Sequence, residues 1–198
     1  MDPTLDLARP VSHAIGGHVA LDFCNTAGEH LAEKPDEMLG DWESFIRWAT
    51  QAGLIGAESY VELLRHPGTV GPIIELRETI YRLGLAIAGK RPLLKRDLAW
   101  ICKQANAAKP DITLEGKNGL RWRPNPTCGS AELRSLLANE ALSLLCSPKA
   151  SRIGVCEGGM CGWLFLDESR GKRRRWCDMN DCGNRAKARV YYQRHKGQ

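Results

Sequence analysis

At 198 residues, with 43% hydrophobic and 26% charged content, the chain is long enough to bury a core and has an ordinary globular make-up. No apolar run reaches the ~20 residues of a membrane helix. The net charge of +5 sits at one end: residues 1–155 carry eighteen Lys and Arg against eighteen Asp and Glu, residues 156–198 ten against five.

The opening Met1-Asp2-Pro3-Thr4-Leu5-Asp6 lacks the basic start and apolar stretch of a secretion signal. Residues 15–26 mix glycine with a short apolar run, which suits a buried strand feeding a loop or the first turn of a core helix. A clearer helix follows. Asp41 is placed to cap it, Trp42, Phe45, Ile46 and Ala49 recur at i, i+3, i+4 and i+7, and Gly53 ends it. A shorter piece from Glu58 to Arg65 stops at His66-Pro67-Gly68. Pro72 opens the longest periodic segment, with Leu76, Ile80, Leu83 and Ile87 on one face and Gly89 beyond.

Pro92 starts a further helix, with inward positions expected at Leu94, Leu98, Ile101 and Ala105. Ile112-Thr113-Leu114 and Leu120-Arg121-Trp122 flank a Gly116-Lys117-Asn118-Gly119 turn as a hairpin. Ser130 is expected to cap a last helix lined by Leu133, Leu137, Ala141 and Leu144, ending before Pro148. Composition then shifts from neutral and helical to basic and cysteine-bearing, which places a boundary between residues 1–147 and 148–198.

The basic end holds two matched pairs, Cys156-x4-Cys161 and Cys177-x4-Cys182, separated by fifteen residues. Paired cysteines at such a separation can close a tetrahedral thiolate site around one zinc ion. Eight cysteines without an export signal favour reduced thiols and a metal over disulfides, and a cytoplasmic home. Burial of the four as small apolar residues is the plainer alternative. Trp163-Leu164-Phe165-Leu166 reads as a strand, Glu168 to Gly171 as a turn, and Arg173 to Cys177 as the returning strand. Cys182-Gly183 then leads into a helix from Asn184 to about His195, a treble-clef-like arrangement. The expected fold class is therefore α+β: a mainly helical amino-terminal domain with a small β-hairpin, followed by that zinc finger.

The stretch Cys156-x4-Cys161-x-Trp163-x-Phe165-x-Asp167-x-Ser169-Arg170, with Arg174-Arg175-Trp176-Cys177 and Cys182-Gly183-Asn184-Arg185-Ala186-Lys187-Ala188-Arg189, resembles the CGNR zinc finger. Gly16-Gly17-x4-Leu21-Asp22-Phe23-x-Asn25-Thr26 resembles the start of the ABATE domain, with Cys24 a mild departure at an apolar position. The resemblance implies a bacterial stress-induced transcription regulator whose finger binds DNA and whose ABATE domain senses a ligand.

Helical spacing of 100° per residue puts Arg185, Arg189 and Lys196 within about 40° of one another, with Tyr192 beside them. Ala186 and Val190 fall on a separate narrow face suited to packing on the hairpin. Asn184 and Lys187 complete the candidate DNA contacts on this helix, and Arg170, Lys172, Arg173 and Arg175 form a second patch at the hairpin turn. Strand alternation turns Arg174 to the opposite face, toward a structural salt bridge. These residues suit double-stranded DNA, with guanidinium groups for phosphate or guanine. An RNA-binding or protein-interaction module is the competing reading; binding of a single strand is weakened because Trp163, Phe165 and Trp176 are better used as the mini-core. Symmetric half-sites favour a homodimer, and a DNA-bound regulator would be nucleoid-associated.

No histidine has metal-ligand spacing, and neither a nucleophile elbow nor a phosphate loop occurs, so no catalysis is expected. His18, Asp22, Asn25 and Thr26 cluster where polar side chains interrupt an apolar segment. They can hydrogen-bond a small effector, or else cap a helix and hold a turn. Trp42, Trp48 and Trp100 are expected in the core; Cys102, Cys128 and Cys146 read as scattered thiols.

Overall fold

The ambiguous opening is a helix. His18 caps α1 (Val19–Cys24) with its Nδ1, which accepts from the Ala20 N–H at 3.2 Å, and Ala20, Leu21, Phe23 and Cys24 are buried. The computed structural model describes residues 10–108, 112–115, 121–124 and 129–195; the expected 116–119 turn, Cys128 and Lys196 lie outside them. After α1 comes a two-residue antiparallel pair that no sequence pattern signals, β1 (Ala27–Gly28) with β2 (Asp36–Glu37).

Asp41 Oδ1 accepts from the Ser44 N–H at 2.8 Å to start α2 (Trp42–Gln51), and all four residues of the expected stripe are buried. α3 (Ala57–Arg65) and the long α4 (Gly71–Ile87) follow. α5 (Lys95–Ala105) starts after Pro92 and buries Ile101 as expected, but Leu94 and Leu98 are exposed and Asp97 points inward instead. The cause is an ion pair. Asp97 accepts a two-pronged contact from Arg82 of α4, at 2.8 and 2.9 Å, and that pulls the 97/101 face onto α4. β3 (Ile112–Glu115) and β4 (Arg121–Pro124) pair antiparallel in the expected place. α6 (Ser130–Leu145) buries the expected Leu133, Leu137, Ala141 and Leu144. Its cap is Gly129, not Ser130: Glu132 reaches back to accept from the Gly129 N–H at 3.0 Å.

The Arg82 fork holds the Asp97 carboxyl below its ordinary value of 3.8, against the pull of burial. A depressed carboxylate adds stability that is full above the ordinary value and is lost as pH falls through the lowered one. Asp97→Asn is therefore expected to cost about 2 kcal/mol at pH 7 and to flatten the acid limb of melting temperature against pH, read by calorimetry.

Past a 3-10 turn at Pro148–Arg152, β5 (Ile153–Val155) pairs antiparallel with β6 (Leu164–Leu166), with Ile153 opposite Leu166 and Val155 opposite Leu164. This replaces the expected hairpin, in which 163–166 would have paired with 173–177. The 173–177 segment is diverted because the Arg174 N–H is taken by Asp167 Oδ2 and the Arg173 N–H by Ser169 Oγ, which leaves an irregular loop. Ile153, Leu164 and Leu166 join one core with α1, α4 and α6. Gly84 of α4 opens the slot for Leu164, since a Cβ there would fall 2.6 Å from its Cδ1. The core thus runs across the compositional boundary at Ser147. A π turn (Met179–Gly183) then leads into α7 (Asn184–His195).

Candidate metal centre and nucleic-acid interface

The first cysteine pair hangs from the ends of β5 and β6, and the second from the loop entering α7. The four sulfurs lie within 4.8 Å of one another, all buried. Cys161–Cys177 and Cys177–Cys182 are each separated by 3.7 Å. A disulfide needs about 2.05 Å, whereas a tetrahedron of zinc–thiolate bonds about 2.3 Å long has edges of about 3.8 Å. Among the described residues no cysteine is in a disulfide. Bare thiols here cannot ionise together: Cys161 donates to Cys156 and holds it down to about 2, and by the same sharing Cys161 is pushed up to about 12 and Cys177 higher still. A divalent cation removes that conflict. These four residues fit one structural zinc ion.

The surroundings complete the fit. N–H groups of Cys177 and Gly158 serve the Cys156 sulfur, and that of Trp163 serves Cys161. A Cβ at Gly158 would stand 2.7 Å from Cys182 Sγ, so only glycine lets the knuckle close on the sulfur. Arg185 donates from Nη2 to Cys182 Sγ at 3.2 Å and pairs with Asp181. Arg189 lies over the same knuckle: a Cβ at Gly159, whose φ is +76°, would fall 2.7 Å from its Nη1. The expected Arg185/Arg189 face of α7 is thus turned toward the metal.

Arg174 is structural, as its alternation implied, but its partners are carbonyls rather than an acid. Its guanidinium serves Trp176 at 3.0 Å, Leu166 and Ile15 each at 3.2 Å, and Cys177, while stacking 4.4 Å above the Phe165 ring. Arg170, Lys172, Arg173 and Arg175 are exposed. Arg175 pairs with Glu157 at 2.7 Å and lies over the Trp176 ring at 5.1 Å. Along α7 no residue is buried. Val190 is 46% exposed instead of packing on a hairpin, and Tyr191 and Tyr192 are 59% and 68% exposed. Asn184 bonds back to Asn180 O at 3.0 Å, and Lys187 is exposed.

The helical part grips the zinc knuckle from the other side. Asn25, fully buried, donates to Leu164 O and accepts from Leu164 N, both at 2.9 Å. Trp163 Nε1 donates to Ala27 O at 2.7 Å, Tyr81 OH to Gly162 O at 2.9 Å, and the His30 N–H to Cys161 O at 2.9 Å. His30 stacks on Tyr81 with centroids 3.6 Å apart and meets Glu78 at 3.0 Å. Arg77, buried on α4, forks onto Glu37 with both bonds at 2.6 Å and reaches Glu78 and Thr26. Apart from Thr26, the sequence carried no signal for the network around Arg77, whose members are spread from 26 to 81.

The four expected effector contacts separate. Thr26 is fully buried and donates to Phe23 O at 2.7 Å, and Asn25 is spent on Leu164. His18 and Asp22 instead line a cavity of about 640 Å³ with Ser12, Val19, Trp48 and Gln51. Burial pushes the Asp22 carboxyl up despite bonds from the Gly16 and Ile15 N–H groups, and pushes the His18 imidazole down. Cys24, the departure noted above, is buried and its thiol is pushed up by burial, an inert core position.

No helix among the described residues is long and apolar enough to cross a membrane. No curated protein matches the chain. Two families do, neither one of enzymes: the CGNR zinc finger over residues 152–195, and ABATE, described as "Putative stress-induced transcription regulator", over residues 17–148. With the cysteine tetrad under the first and two thirds of its length under the second, the chain belongs to the ABATE family and carries a zinc-binding CGNR finger at its carboxy-terminal end.

Proposed function

We propose that this protein is a non-enzymatic regulator that binds double-stranded DNA through its finger and responds to a small polar effector held by its helical part. The observation that carries the DNA reading is α7, a twelve-residue helix with no buried residue that leaves a metal-fixed centre with Lys187, Tyr192 and Arg194 exposed. A helix of that length is marginal on its own in water, and one presented from a rigid base suits a groove about 12 Å wide. Arg170, Lys172, Arg173 and Arg175 flank it as phosphate contacts, with Asn184 at its start. Arg185 and Arg189 reach DNA only from the side facing the knuckle.

The effector reading rests on the cavity at His18 and Asp22. α1 joins that cavity at its first turn to Leu164 of the finger through Asn25 at its end, so a ligand that shifts α1 reaches the zinc knuckle within one short helix. Coupling of this kind is typically about 1–3 kcal/mol and reciprocal. Two copies on symmetric half-sites would double the base contacts.

Anisotropy titration of labelled duplexes, including the segment upstream of the protein's own coding sequence, tests the reading. The log of affinity is expected to fall against log salt by about 0.9 per phosphate contacted, and Lys187→Ala should reduce that slope by about one contact. A thermal-shift screen of small organic acids and amines should find compounds that stabilise the wild type but not His18→Ala, and that change duplex affinity. If no duplex outcompetes bulk DNA at any salt, the finger is an interaction module instead.

A further inference from the structure

We infer that the groove between Trp176 and α7 is a stacking site for an unstacked base of single-stranded nucleic acid. This rests on the finger's contact with nucleic acid but not on duplex recognition. The groove has a volume of about 410 Å³ and its walls include Trp176, Val190 and Tyr191. That size falls in the range of about 300–1,000 Å³ for small-ligand clefts, too small for a packed helix and suited to one nucleotide. Cations stand around the aromatic floor: Arg175, Lys187 and Arg194 line the same groove. Its one acid, Glu157, is already paired with Arg175 at 2.7 Å.

The combination decides between occupants. Trp176 is half-buried: part of it packs on the metal cluster, the Arg175 guanidinium lies over its ring at 5.1 Å, and the remainder lines the groove, so that a base would stack mainly on Tyr191 with the Trp176–Arg175 pair as the opposite wall. Tyr191 stacks on His195 with centroids 4.2 Å apart, which extends the aromatic surface along α7. Ring faces are satisfied by ring faces, and a base inside a duplex offers only its edges; a base in a single strand offers its face. An acidic peptide would answer the charges but leave the aromatic floor unused. A second copy of the chain would bring Lys187 and Arg194, the two cations in excess once Arg175 is paired with Glu157, against themselves. A base with phosphates on either side answers both the aromatic floor and the cations.

The test uses the full zinc-loaded chain and three fluorescein-labelled probes at one salt concentration: a thymidine 12-mer, a 12-mer of the same backbone without bases, and a hairpin duplex. A uridine 12-mer separates RNA from DNA as the source of the strand. The thymidine or uridine strand is expected to bind about tenfold or more above the abasic backbone. Tyr191→Ala, on an exposed helix position that leaves zinc content unchanged, should weaken that strand by about 5- to 160-fold and leave the abasic backbone and the duplex unaffected, with Tyr191→Phe restoring it. Equal binding of base-bearing and abasic strands overturns the inference. So does a Tyr191→Ala loss shared equally by strand and duplex. Failure of the duplex alone, with the strand still bound and sensitive to Tyr191, overturns the duplex reading and leaves this one standing.

Discussion

Chelating zinc from the intact chain is expected to lower the melting temperature of the whole protein in one cooperative step. The metal fixes the loop that carries Cys161 and Cys177, and β6 between them supplies Leu164 and Leu166 to the main core, with Ile153 from β5 alongside. Each such side chain is worth about 1.5–3 kcal/mol when fully buried, so their loss amounts to at least about 5 kcal/mol. For a protein of this length each kcal/mol moves the midpoint by about 2–4 °C, and the expected fall is on the order of 10–20 °C. Cys177→Ser should reproduce it, with metal analysis reading less than one zinc per chain. Two separate calorimetric transitions, the upper one at the zinc-loaded temperature, would show that the core does not depend on the finger.

Replacing Asn25 is expected to have the next largest effect. Its side chain closes a two-bond bridge to the backbone of Leu164 in a fully buried place. Asn25→Ala leaves a buried N–H and a buried C=O without partners, at about 1–3 kcal/mol each, or about 3 kcal/mol in all and a drop of roughly 6–12 °C. Asn25→Asp separates donor from acceptor. A carboxylate still accepts from the Leu164 N–H but cannot donate to the Leu164 carbonyl, and its charge is buried. Burial raises its folded pKa, so stability is recovered as pH falls and the proton restores the donor. The gap between Asp and Ala variants should therefore narrow or reverse between pH 8 and pH 5. A gap that does not change with pH would mean that water, not Leu164, is the partner of residue 25.

Local chemistry was legible in the sequence where it was self-sufficient. α2 announces itself through the Asp41 cap and a full stripe, and the zinc ligands through spacing alone, because both depend on neighbours in the chain. β5 was missed because Ile153-Gly154-Val155 is three residues long and its pairing with β6 is set by the core that both strands share. α5 departs from its apolar pattern only at its start, where Leu94 and Leu98 are exposed, because Asp97 is drawn inward by Arg82 of α4, a partner that no local pattern signals; Ile101 faces inward as expected. The rotation of α7 was the least legible. Its small residues suggested the packed side, yet thiolate charge draws Arg185 to the metal and leaves Val190 and Tyr191 in the open. That rotation gives the groove its aromatic wall. Among the site residues, the polar four at 18–26 formed a cluster in sequence, but the start of α1 faces a cavity and its end faces the core.

The slot at Gly84 has a consequence for biosynthesis. Leu164, which fills it, is made eighty positions later. At synthesis rates of about 5–20 residues per second the ABATE part waits roughly 4–16 s with the slot open, and longer while residue 164 clears the ribosome. During that interval the part of the α1 and α4 wall that receives Leu164 lacks its cover. The finger thus closes the helical core last, and all four thiols that would hold the metal are made after that core's helices.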